Sequence, residues 1–261
     1  MLPRHELLEG TPDPEGLSRL IDLAEQVLRT WQPQWTPFLP AELREEAERR
    51  LGLLSELSLH GDGGHGGAER RRLLLRRSEV DPDPLALPAG LAGLEIRGNF
   101  LFDPADPEDV RQVLLAAGAG TGELGDIWMR GDRGAQAIVT TELADRLNRQ
   151  GGRIRSVAVE FTARPLAELQ VPAQRASRRQ TSVEASLRLD ALASAGFGVS
   201  RNRMAELIRG GAVRLNWQPM FTPSRELAVG DRVQLQGRGE LLVEELALTR
   251  RDRWRVTLVR R

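Results

Sequence analysis

Apolar residues at Leu17, Leu20, Ile21, Ala24, Leu28 and Trp31 recur at helical spacing, with Asp22, Glu25 and Arg29 between them, and predict an amphipathic helix. Pro33 and Pro37 end that pattern and set a turn holding Trp35 and Phe38. A second helix is expected from Pro40 as its first residue, through Leu43, Ala47, Leu51 and Leu54. The glycine-rich stretch around His60 and His65 then reads as a flexible connector, and Leu73-Leu74-Leu75 reads as a buried strand.

From about residue 79 to 168 the pattern alternates between the two periods. It predicts a strand over Leu91–Arg97, a helix over 107–117, a strand over Leu124–Arg130 and a turn at Gly131–Gly134. A strand over Ala135–Val139, a helix over 142–150 and a strand over Arg153–Ala163 complete it. This β-α-β-β-α-β order fits a ferredoxin-like or RRM-like α+β domain. The aromatic signature with which an RRM stacks bases is missing, so Trp128 is expected in a core and Asp126 at a turn or strand start.

Towards the C-terminus, Val183, Leu187, Ala191 and Ala195 share one helical stripe, which Gly196 and Gly198 stop. Ser200 is suited to cap a second helix, Arg201–Arg209, whose apolar side is Met204, Leu207 and Ile208. Val213, Leu215 and Trp217 then alternate with Arg214 and Asn216, so one side of a strand is core and the other can reach a ligand. Turns at Val229-Gly-Asp231 and Gly237-Arg238-Gly239 follow, and a terminal strand runs over Arg253–Val259. The expected divisions are a helical region 1–78, an RRM-like region 79–170, a basic linker 171–180 and a compact module 181–261.

Charge sharpens this division. Residues 1–170 hold 20 Arg and 28 Asp plus Glu, whereas residues 171–261 hold 17 Arg and 9 acids, so a net −8 faces a net +8. A basic module of this kind implies a polyanionic partner. Lys is absent, so every cation except histidine and the chain terminus is a guanidinium, which forks onto phosphate and stacks on bases. Cys is absent too, which excludes disulfides, thiol catalysis and Cys-ligated zinc. No apolar run reaches the ~20 residues of a membrane span, and the acidic N-terminus lacks a secretory h-region. A cytoplasmic monomer without cofactor or membrane is expected.

Candidate catalytic chemistry is thin. Gly118-Ala-Gly120-Thr-Gly122 resembles the cofactor loop of a methyltransferase, but such a loop follows a strand. Here Asp106, Pro107, Val110, Val113 and Leu114 predict a helix before it, with Gly118 just past its end. Arg188-Leu189-Asp190 resembles the catalytic loop of a pseudouridine synthase. Only 71 residues follow Asp190, the active-site Tyr of those enzymes has no counterpart, and Asp190 reads as a surface acid pairing with a local Arg. All three His precede residue 66, so a Ser-His-Asp set is not expected. A protein-interaction scaffold is the other non-catalytic reading.

The run SLRLDALA…SRNRMAELIRGGAVRLN…ELAVGDRVQLQGRG, from about Thr181 to Val243, resembles the S-four (S4) RNA-binding domain. The resemblance implies RNA-facing roles for Arg188, Ser200, Arg201, Arg203, Arg209 and Asn216, with Arg238 on a turn. Arg178, Arg179, Arg214, Arg70 and Arg71 form a second tier of RNA-contact candidates. Asn216-Trp217, Leu124-Gly-Asp-Ile127, Phe38-Leu-Pro40 and the glycine loop before Ala68-Glu-Arg-Arg71 further resemble the YlmH-type family, whose cyanobacterial relatives are called photosystem II S-four domain proteins. That likeness implies an N-terminal helical domain, an RRM-like middle and a C-terminal S-four domain. It also implies a non-enzymatic partner of structured RNA (rRNA and tRNA) that engages stalled large ribosomal subunits carrying peptidyl-tRNA.

Overall fold

The computed structural model describes residues 2–79, 87–173, 177–235 and 238–260. The chain forms two compact units, Met1–Pro172 and Ala173–Arg261. Gly237 of the second expected turn, and Arg175 of the expected linker, lie outside the described residues.

The first unit opens with α1 (Arg4–Leu8) and α2 (Pro14–Thr30), which appears where the hydropathy pattern places a helix. Asp13 caps α2 by accepting from Gly16 N–H at 2.8 Å, Pro14 begins it, and Trp31 ends it in a left-handed conformation with φ 62°. After β1 (Gln34–Trp35) comes α3 (Ala41–Leu51), with Pro40 as its N-cap rather than its first residue. Strands β2 (Leu57–Asp62) and β3 (Arg72–Arg77) then build a three-stranded antiparallel sheet, ordered β1-β3-β2, against the helices. The region is therefore helical with a small sheet, and Leu17, Ile21, Val27, Ala47, Leu51, Leu73 and Leu75 form its core.

The connector expected at His60 to Gly67 is corrected here. His60 and Asp62 lie in β2, and Gly63 and Gly64 after them are packed, while Gly66 and Gly67 are exposed. A Cβ on Gly63 would lie 2.4 Å from Ala68 Cβ, and Gly64, at φ 81°, sits against Ile138. Close approach, not looseness, requires these glycines.

The rest of the unit follows the predicted order: β4 (Leu91–Arg97), α4 (Pro107–Ala116), β5 (Leu124–Met129), β6 (Gly134–Thr140), α5 (Thr141–Leu147), β7 (Gly151–Ile154) and β8 (Val157–Arg164). The last expected strand is a hairpin, β7–β8, and the antiparallel sheet runs β5-β6-β4-β8-β7. Asp106 caps α4 in a capping box with Asp109, so the glycines at 118–122 follow a helix, as the stripe of Val110 and Leu114 predicts.

One sheet face carries α4 and α5 over Leu94, Ile96, Val139 and Phe161. The opposite face, which an RRM offers to bases, is covered by the chain itself. Fully buried Ile138 packs there with Phe38 and Leu169, flanked by Trp128, and Trp128 Nε1–H donates to Gln170 O at 3.0 Å. Trp128 is thus a packing residue.

In the second unit β9 (Arg178–Glu184) replaces the end of the expected linker and the start of the expected helical stripe. Its alternation of Gln180, Ser182 and Glu184 against Arg179, Thr181 and Val183 suits a strand, and it pairs antiparallel with the terminal strand. Helices α6 (Leu189–Phe197) and α7 (Arg201–Arg209) follow, joined through Gly198 at φ 65°. Then come β10 (Val213–Leu215), β11 (Gln218–Pro219), β12 (Arg232–Leu235), β13 (Gly239–Leu248) and β14 (Trp254–Arg260), in a sheet ordered β11-β10-β12-β13-β14-β9. Leu189, Leu192, Phe197, Met204, Ile208, Val213, Val233, Leu241, Val256 and Leu258 make the core between helices and sheet.

Candidate nucleic-acid interface

Helix α7 is oriented by its own sequence. Met204 and Ile208, one turn apart, are fully buried against the core. Their burial forces Arg201, Arg203 and Arg209 outward, where all three are exposed. Ser200 Oγ accepts from Arg203 N–H at 3.4 Å, so Ser200 acts as the N-cap that starts the helix in this register.

Two of the expected guanidiniums meet at one acid. Asp190, in the first turn of α6, is 5% exposed, which corrects its expected surface position. Arg188 donates to it through Nε and Nη2, both at 3.1 Å, and Arg201 through Nη2 at 3.2 Å. Burial alone would push the Asp190 carboxyl up. The hydrogen bonds and charges of Arg188 and Arg201 outweigh that and hold it below the ordinary carboxylate value, while the hydrogen bond to Asp190 raises Arg188. The two arginine side chains remain 40% and 50% exposed, so Asp190 braces them without removing them from solvent.

The other arginines of this unit differ in how committed they are. Arg203 pairs with Glu206 at 2.9 Å with both side chains exposed, a bond that water and salt weaken readily. Arg209 and Arg214 are exposed, and among the described residues no hydrogen bond or ion pair holds their guanidiniums. Arg225, which sequence reasoning passed over, is exposed on the loop whose backbone carbonyls accept from Leu189 and Asp190 N–H. It carries no hydropathy signal because the loop has no period. Arg238 Nη1 reaches Phe197 O at 3.5 Å. Arg178 is exposed at the start of β9, while Arg179 pairs with Glu244 at 2.5 Å.

Asn216, expected to face RNA, is exposed at a turn and is also engaged within the sheet. With φ 48°, and Trp217 at 73°, it forms the two-residue turn joining β10 to β11. Its Nδ2 donates to Asp231 Oδ1 at 2.8 Å and its Oδ1 accepts from Arg232 N–H at 2.9 Å, so the amide is committed to closing the sheet end.

Arg70 and Arg71 correct the second-tier expectation more sharply. Arg70 donates to the carbonyls of Leu124 (2.8 Å), Thr121 (3.1 Å) and Phe38 (3.4 Å), and burial lowers its pKa. Arg71 donates to Ala68 O and Gly66 O. These guanidiniums tie loops together because buried carbonyls need donors that the local backbone does not supply. Asp126 completes that knot by accepting from Glu69 N–H, Arg70 N–H and His65 Nε2. Gly67 N–H on His65 Nδ1 leaves Nε2 as the nitrogen that carries the proton. Among the described residues no group of three His, Asp or Glu side chains is placed to hold a metal ion.

Comparison with known proteins places these observations. Residues 13–80 match the family described as YlmH, N-terminal, and residues 187–233 match the S4 domain. The chain is 28% identical over 207 residues to "Ribosome-associated protein quality control protein P2" of Bacillus subtilis, covering 79% of each protein. A solved structure, "Cell division protein ylmH from Streptococcus pneumoniae", aligns with TM-score 0.47 and 20% identity over 60% of this chain and 93% of that one. One chain thus carries a match to the YlmH N-terminal region and, further along, a match to the S4 domain, the two parts that the YlmH-type resemblance implies.

Proposed function

We propose that this protein is a non-catalytic RNA-binding protein that grips structured RNA, ribosomal or transfer, through the outward side of α7 and the Asp190-braced arginines beside it. The observation that carries this reading is the rigidity of those arginines: α7 is pinned by Met204 and Ile208, and Arg188 and Arg201 are held by one buried carboxylate while about half exposed. Pre-placed guanidiniums lose little conformational freedom when they engage phosphates. Ser200, Arg203, Arg209, Arg214 and Arg238 extend the contact. The name of the Bacillus subtilis relative supports a ribosome-associated role; stalled large subunits carrying peptidyl-tRNA are the target that the family resemblance implies. The protein acts as a cytoplasmic monomer without cofactor, with 1–78, 79–170 and 181–261 as its functional regions.

The test is Arg201→Ala with Arg203→Ala, titrated against bulk tRNA and purified large subunits at several salt concentrations. Each lost phosphate contact should lower the slope of log affinity against log salt by about 1, so the pair should lower it by about 2. Loss of Arg201 also takes one donor from Asp190, so stability should fall by about 1 kcal/mol while folding persists. Equal affinity in variant and wild type would remove this face from the interface. Crosslinking in cells, followed by sequencing of the attached RNA, identifies the target.

A further inference from the structure

The basic character of the second unit is not confined to residues 187–233. Residues 249–255 read Thr-Arg-Arg-Asp-Arg-Trp-Arg, four guanidiniums against one carboxylate, at the loop between β13 and β14. The loop is well defined. Thr249 N–H donates to Arg253 O at 2.7 Å, Asp252 N–H donates to Thr249 O at 3.2 Å, and Arg253 N–H donates to Thr249 Oγ1 at 3.2 Å. Asp252 takes the left-handed conformation, φ 51°, that closes a three-residue hairpin loop and that Asp tolerates better than most residues.

Register shows where the loop is carried. Strand β12 stops at Arg232, opposite Leu242, but β13 continues to Leu248, six residues or about 20 Å further. Beyond β12 it is paired among the described residues with β14, which β9 pairs on its other side, with Trp254 paired to Glu184 at the outer end. Trp254 and Leu246 pack against the core and anchor this extension. Arg250, Arg251, Arg253 and Arg255 are all exposed at its end, and among the described residues no hydrogen bond or ion pair holds their guanidiniums. Elsewhere in the same sheet Arg179 is paired with Glu244, and Arg232 with Glu240 at 3.2 Å.

We infer that the β13–β14 loop is a second phosphate-binding element, which engages the sugar-phosphate backbone of RNA away from α7. This rests on the RNA-binding reading proposed above. The loop residues Arg250, Arg251 and Arg253 have no aromatic or aliphatic residue among them to read a base or seat in a protein core, whereas unpaired guanidinium forks on an ordered turn match phosphate oxygens. The loop therefore adds affinity and orientation without sequence preference.

The full chain carrying Arg250→Ala, Arg251→Ala and Arg253→Ala tests this, measured by fluorescence anisotropy against bulk tRNA and a short RNA stem-loop across a salt series. The salt slope should fall by about 3, with affinity at 0.1 M salt lowered about 10- to 100-fold for both RNAs. Replacing the same three residues by Lys should keep affinity within about threefold, since the charges remain. An unchanged slope in the Ala variant, while Arg201→Ala with Arg203→Ala lowers its own, overturns the second element and leaves the α7 interface standing. Loss of binding to phosphatidylglycerol vesicles with RNA binding intact overturns it in favour of a membrane surface. Absence of salt-dependent RNA binding in the wild type removes the underlying reading, and this one with it.

Discussion

The two compact units engage the same cation to different degrees. In Met1–Pro172 many guanidiniums serve as internal donors, while Arg29, Arg133, Arg149 and Arg153 are exposed. Arg70, Arg71 and Arg72 feed loop carbonyls, Arg77 donates to Leu28 O and lies 3.7 Å over the Trp31 ring, and Arg146 and Arg164 pair with Glu123 and Glu95. In Ala173–Arg261 acids are fewer, and Arg209, Arg214 and Arg225 stand exposed without such partners. The difference teaches that an arginine's role follows from the supply of acceptors around it. A unit with 28 acids and many loop carbonyls engages most of its arginines internally, and one with 9 acids leaves more of them exposed and unpaired.

That contrast can be broken at its strongest point by Phe38→Ala. Phe38 is 2% exposed and packs on the sheet face of the first unit, so its loss should cost about 4 kcal/mol in urea unfolding while RNA affinity stays unchanged. A comparable loss of RNA affinity in the folded variant would show that the first unit shares the interface. Arg70→Met should cost about 2–3 kcal/mol, because three carbonyls lose a charged donor, and it too should spare RNA binding.

Asp190→Asn sharpens the comparison from the other side, with an expected cost of about 1–2 kcal/mol near neutral pH. The folded pKa of Asp190 lies below its ordinary 3.8, so its stabilisation is fully present above that value and is lost as pH falls through the lower folded value. The acid limb of a stability-against-pH curve below about pH 4 should therefore flatten in this variant. Ser200→Ala removes the α7 cap and should cost about 1 kcal/mol. The smallest effect is expected from Glu206→Gln, which frees Arg203 from an exposed pair and should tighten RNA binding about twofold at low salt.

Much of the architecture was legible because burial imposes period. The stripes of α2, α4 and α7 and the alternation in β8 and β10 each state which side is core, and tertiary packing agrees with them. Strand β13 shows the limit: GELLVEELAL is rich in helix formers, and it is extended because β12 and β14 pair with both its edges. Strand β9 was hidden in the same way, since the apolar spacing of Val183, Leu187 and Ala191 imitates a helix until β14 supplies a partner.

At the candidate site the sequence by itself determined the cation inventory, the α7 register and the cap at Ser200, all of which are local. Only the tertiary structure decided which cations remain available. Arg70 and Asn216 are drawn into hydrogen bonds with residues many positions away, Arg71 into the carbonyls of the packed loop just before it, and Asp190 becomes the buried brace of Arg188 and Arg201. The physical reason is that a guanidinium or amide goes to whichever unsatisfied acceptor the fold brings within about 3 Å, and that neighbour is a property of the folded chain rather than of its order.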